Sequence, residues 1–165
     1  MAADPHVLRP DHHPTPFTAD EIRLGCRAGR TVRSLVVEGG AEPYVAVTRF
    51  VSVDAEGADT DHWTETPDGR RVTGPERHRS TWLEFQGHAS MPAARTEITE
   101  ETLDIPAGRY DALRYTRHDG DTVSTFWFAM SSPGMPLRFE IRSTTGELLF
   151  SSIALENIRP GVPTT

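Results

Sequence analysis

At 165 residues the chain suits one domain with a real core, and its net charge of −7 with a pI near 5.4 argues against nucleic acid and anionic membrane as partners, since both need a basic face. A single cysteine, Cys26, rules out an internal disulfide and suits a reducing compartment. The start lacks a basic n-region and an apolar h-region, and no run nears the roughly 18 apolar residues of a membrane span, so the expected address is the cytoplasm.

Residues 1–16 read as a flexible tail, because Pro5, Pro10, Pro14 and Pro16 block regular structure and the polar residues between them offer nothing to bury. A single β-rich domain is expected over 17–157, with a frayed end at 158–165. Thr18-Ala-Asp-Glu21 fits a capping box that opens a short helix from Ala19 to about Cys26, with Phe17 and Ile22 as a hydrophobic staple. From Thr31 the period changes to that of strands. Thr31–Glu38 is a β-branched run ended by Gly39-Gly40. Pro43–Asp54 alternates, with Val45, Val47, Val51 and Val53 on one side and Tyr44, Ala46, Thr48 and Phe50 on the other. Pro67-Asp68-Gly69 joins Asp61–Thr66 to Arg70–Thr73 as a polar edge hairpin. Thr81–Gln86 alternates as a further strand, and Arg95–Leu103 reads as a strand running into a turn.

The stretch from Leu103 to Asn157 is the most regular. Tyr110–Arg117 sets Leu113 and Tyr115 against Ala112, Arg114 and Thr116. Asp119-Gly120 turns the chain into Thr122–Met130, whose Phe126-Trp127-Phe128 core is apolar on both faces and predicts a central strand. Pro133, Gly134 and Pro136 break the ladder, because proline cannot donate to it. Leu137–Arg142 and Leu148–Leu155 complete the set. The expectation is a mainly β chain: one curved antiparallel sheet of about eight to ten strands, half-barrel or barrel, with a short N-terminal helix, because open sheets of that size must curl, close or split.

Pro106-Ala107-Gly108-Arg109-Tyr110, Phe126-Trp127-Phe128 and Pro133-Gly134-Met135-Pro136 followed by Leu137–Glu140 resemble the repeated meander of LolA/LolB-like, lipoprotein-carrier-like half-barrels. Phe17–Thr31 resembles the opening of an actinobacterial family with the same downstream pattern. The resemblance covers about a third of the chain. It implies a curved sheet whose concave face holds an apolar ligand, often a lipid or acyl chain.

The candidate ligand-binding set is Trp82, Phe85, Tyr115, Phe126, Trp127, Phe128 and Met130, as apolar cavities with few polar groups are the usual ligand sites. Packing alone explains any one of them. His62, His78, His88 and His118 lack close metal-ligand spacing, so no metal or other cofactor is expected. Cys26 reads as a small buried hydrophobe rather than a nucleophile, and no catalytic motif stands out. The expected function is non-enzymatic binding of an apolar small molecule or acyl chain. Two alternatives stand beside it: a small enzyme with a polar site around His88, Arg114 and His118, and a homodimer formed through the alternating charges of Arg138, Glu140 and Arg142.

Overall fold

Alternating side chains between short turns fold into a single antiparallel sheet. In the computed structural model, which describes residues 2–161, the strands are β1 (Thr31–Glu38), β2 (Tyr44–Val53), β3 (Gly57–Glu65), β4 (Arg71–Thr81), β5 (Thr96–Ile105), β6 (Gly108–Asp119), β7 (Thr122–Ala129), β8 (Arg138–Ser143) and β9 (Leu148–Ile158). Their order is β4-β3-β2-β1-β9-β8-β7-β6-β5, so β4 and β5 are free edges and the sheet is open rather than a closed barrel. A four-stranded meander, β1–β4, and a five-stranded one, β5–β9, are thus joined through the β1–β9 pairing, in which Thr31 meets Ile158 and Glu38 meets Phe150.

Two short helices, α1 (Ala19–Gly25) and α2 (Trp82–Gly87), complete the fold. The capping box expected at Thr18 and Glu21 forms, and the staple residues Phe17 and Ile22 both enter the main core. The segment Thr81–Gln86 is not a strand. Thr81 accepts from the Glu84 amide and Glu84 reaches back to the Thr81 amide, a second capping box that opens α2. β4 is longer than the expected Arg70–Thr73 and runs on to Thr81, against a β3 that starts at Gly57. The β6–β7 turn lies one residue later than expected. Asp119 pairs with Thr122, leaving Gly120-Asp121 as the two-residue loop, with Gly120 at φ 69°.

The expectation that residues 1–16 bury nothing is corrected. Thr15 is buried, His13 donates its amide to the Met91 carbonyl at 2.9 Å, and Tyr115 donates its hydroxyl to the Pro14 carbonyl at 2.7 Å. Gln86 organises this junction. Its Oε1 accepts from the Ala19 amide at 2.9 Å, and its Nε2 donates to the Pro5 carbonyl and to Thr15 Oγ1. At the other end, β9 continues to Ile158, and residues 162–165 of the expected frayed end lie outside the described residues.

Strand alternation divides β7 between two cores. Phe128 joins Phe17, Ile22, Trp82, Met91 and Tyr115 beneath the helices, with Phe126 packed against them. Trp127 and Ala129 point the other way, into a second cluster with Leu103, Leu137 and Ala154. The turn between β5 and β6 folds over that second cluster: Ala107 packs on it and donates its amide to the Ala154 carbonyl at 3.2 Å.

Candidate functional site

A cavity of about 500 Å³ lies between the helices and the face of the sheet that carries Phe126 and Phe128. Its walls come from strands that are remote in the sheet. Thr48 and Phe50 of β2, Thr60 and His62 of β3, and His78 and Ser80 of β4 form one side. Phe126 and Phe128 of β7 form the other. Six strand spacings of about 4.8 Å separate β4 from β7, so a flat sheet would hold them roughly 29 Å apart. Sharing one cavity requires the sheet to curve strongly, and this is the concave face that the LolA/LolB-like resemblance implies. Ile22 from α1, Cys26 at its C-cap, Phe85 from α2, and Met135 from the Pro133–Pro136 corner close it over.

The cavity is chemically divided. Its apolar part is made by Ile22, Phe50, Phe85, Phe126, Phe128 and Met135. Phe50 and Phe85 pack at 5.8 Å, and Phe126 stacks on Phe139 of β8 at 4.6 Å. Its polar part lies on β2–β4. The His62 ring is bracketed by two hydroxyls, Nδ1 to Thr48 Oγ1 at 3.2 Å and Nε2 to Thr60 Oγ1 at 2.9 Å. Burial holds the His62 pKa below the usual imidazole value, and the nearby His78 pushes the same way. The His62 and His78 rings meet edge to face at 5.2 Å. His78 and His88 are exposed, which places the mouth of the cavity at their end. Among the described residues no three His, Cys, Asp or Glu side chains gather to hold an ion.

The seven aromatic and methionine candidates separate into distinct places. Phe85, Phe126 and Phe128 line the cavity. Trp82 and Tyr115 stand one layer behind. Trp82 packs on Phe85 at 5.7 Å and donates its indole N–H to the Asp54 carbonyl. Tyr115 packs on Phe128 at 5.3 Å, and burial pushes its phenol up to about 12, so it acts as a neutral donor to Pro14. Trp127 lies on the other face of β7, bonded to Glu101 and covered by the Arg138 guanidinium at 4.4 Å. Met130 lies beyond the end of β7, half-exposed in a shallow depression with Thr102 and Arg109. Sequence reasoning missed Phe50, Ile22, Thr48, Thr60 and Met135 as lining residues. The alternation of β2 does put Thr48 and Phe50 on one face, but nothing local shows that this face looks across at β7.

Cys26 lines the cavity without being free to react. Burial pushes its thiol up, Arg30 opposes this only in part, and Sγ is held by Arg30 Nη1 at 2.9 Å and the Pro133 carbonyl at 3.4 Å. The buried Arg30 also bonds Ser132 Oγ and the Pro133 carbonyl, locking the Pro-Gly corner onto α1. Gly134 is required there. Its φ is 134°, and a Cβ would fall 2.7 Å from Arg30 Nη1 and 3.1 Å from Cys26 Sγ.

The polar alternative at the barrel mouth is not assembled. Arg114 and His118 share the face of β6 opposite Leu113 and Tyr115, with Arg114 paired to Glu101 at 3.1 Å, whereas His88 lines the cavity. Glu140 accepts from both Arg138 and Arg142 within the same chain, so these alternating charges supply no argument for a two-fold interface.

No protein-family model matches this sequence, and no curated protein matches it. Solved structures do match in shape. MucB covers 87% of this chain at a TM-score of 0.57 and 11% identity, and the chain spans 57% of MucB. The MucB of Pseudomonas aeruginosa has also been solved in complex with MucA, where the match covers 88% of this chain and 56% of that one at the same TM-score and identity. A candidate exported protein with a YmcC-like fold from Bacteroides fragilis matches over 81% of this chain and 97% of its own at 10% identity and a TM-score of 0.50. A candidate lipoprotein from Parabacteroides distasonis matches over 79% and 95% at 11% identity and a TM-score of 0.52. At such identities the likeness shows the fold alone, and that fold agrees with a LolA/LolB-like sheet.

Proposed function

We propose that this chain is a non-enzymatic binding protein that holds the apolar part of a small molecule, most simply one acyl chain, in the cavity on its concave face. The observation that carries this reading is the cavity itself. Its volume of about 500 Å³ falls within the roughly 300–1,000 Å³ of small-molecule sites, and its walls are mostly apolar with a few polar groups at one end. Phe85, Phe126 and Phe128 are the binding residues from the candidate set. Trp82 and Tyr115 support them, and Trp127 and Met130 stand outside.

The test is titration of the purified chain with a series of saturated acyl chains. Each methylene taken from water is worth about 0.8 kcal/mol, so affinity rises about fourfold per carbon until the cavity is full and then levels off. Absence of saturable binding across the series contradicts the reading. A cytoplasmic address belongs to the same proposal and rests on the single unpaired cysteine, while the exported and lipoprotein neighbours favour the opposite address. Fractionation of the native host decides between them.

A further inference from the structure

The lining of the cavity differs in charge from the chain that builds it. The protein has 24 acidic residues against 17 arginines and no lysine, yet none of the 17 lining residues is an aspartate or glutamate. At the chain's average, two or three of them would be. Three of the seven histidines line it instead, together with Arg79. Burial explains the lack of acids at the deep end, where Phe50, Phe128 and Cys26 are buried, but not at the mouth, where His78, Arg79 and His88 are exposed.

We propose that the cavity selects single-chain amphiphiles with an anionic head, the chain lying against Phe50, Phe85, Phe126 and Phe128 and the head meeting the imidazoles and hydroxyls at the β3–β4 end. This rests on the acyl-chain reading of the same cavity and adds the chemistry of the head group. The hydroxyls of Thr48 and Thr60 and the ring of His62 form a polar floor behind His78, so a head group placed there leaves water without losing every hydrogen bond. Cationic heads have no acid in the lining to pair with. Acids beside the lining are paired: Asp54 and Asp59 sit 2.7 and 3.6 Å from Arg79, Asp61 sits 2.9 Å from Arg77, and the exposed Glu76 sits 4.0 Å from His78. A carboxylate or a phosphate monoester supplies the required charge equally well.

The experiment compares four ligands of one chain length at pH 7 and low salt: tetradecanoate, tetradecyl phosphate, tetradecanol and tetradecylamine. Expected is at least about tenfold tighter binding of both anions than of the amine, with the alcohol between them. The double variant His78→Gln/His88→Gln changes two exposed side chains, and an unchanged thermal midpoint checks that the fold is kept. It should reduce the anion-to-amine ratio to below about threefold, and because the ratio is taken within the variant, any change common to all four ligands cancels. Whether carboxylate or phosphate binds tighter separates a free fatty acid from a phosphate-headed lipid, and either order supports the proposal. Equal binding of all four ligands, tighter binding of the amine, or an anion preference that survives the double variant overturns it while leaving the acyl-chain reading in place. Failure of all four to bind overturns both.

Discussion

Gln86 shows how much a single buried amide can hold. It bonds the first amide of α1, the Pro5 carbonyl and the Thr15 hydroxyl from one fully covered position. Gln86→Leu takes this partner from the Ala19 amide and the Pro5 carbonyl, while Thr15 keeps its bonds to the His6 and Phe17 carbonyls, and should cost about 1–3 kcal/mol, read as a lower urea midpoint at unchanged slope. A substitution that leaves the midpoint unmoved would show that the N-terminal segment is not held in this way. His62 carries a pH signature. Its native pKa lies below the ordinary value of about 6.5, so below that pH the unfolded chain takes up the proton more readily than the folded one. Stability should therefore fall as pH drops from about 6.5 toward the depressed native value, and His62→Asn should lose less over that interval. Urea melts at pH 7.5 and 5.5 on both proteins measure it, and parallel losses would contradict it. At this scale the sequence was informative about alternation and poor about destination. That Phe126 and Phe128 oppose Trp127 follows from a period of two, but which side faces a cavity depends on β2–β4, far away in the chain.

The elements were legible where their signals are local. Thr18 and Glu21 cap α1 as their spacing implies, and the β-branched run Thr31–Glu38 is β1 to the residue. Thr81 and Glu84 carry the same capping spacing, yet the alternation of Leu83 and Phe85 with Trp82 and Glu84 competes with it over so short a window. The helix prevails because its cap is satisfied on both sides and because it buries Trp82 and Gln86 together. Thr81→Ala should cost about 1 kcal/mol, typical of a lost N-cap, and should also weaken ligand binding, since α2 carries Phe85 into the cavity. Thermal melts with and without ligand separate the two effects. A loss of stability with unchanged affinity would mean that α2 does not position the lining.

Curvature belongs to the whole molecule and had no local sign. Strand counting gave an open or closed sheet of about the right size, but the bend that brings β4 opposite β7 comes from the twist of nine strands and from the helices packed inside it. The two faces of β7 then serve different ends, one lining a cavity and one filling a core. Phe128→Ala should cost about 3–5 kcal/mol because the ring is fully buried, whereas Phe126→Ala, half-exposed to the cavity, should cost less and weaken acyl binding. The most direct test of the cavity as the acyl site is photocrosslinking of the purified chain with a diazirine-bearing tetradecanoate, followed by mass-spectrometric mapping. The account predicts one adduct per chain, assigned by fragment sequencing to Phe50, Phe85, Phe126, Phe128 or Met135 and not to the intervening Trp127. Adducts confined to the Trp127 face or scattered over the surface would contradict it.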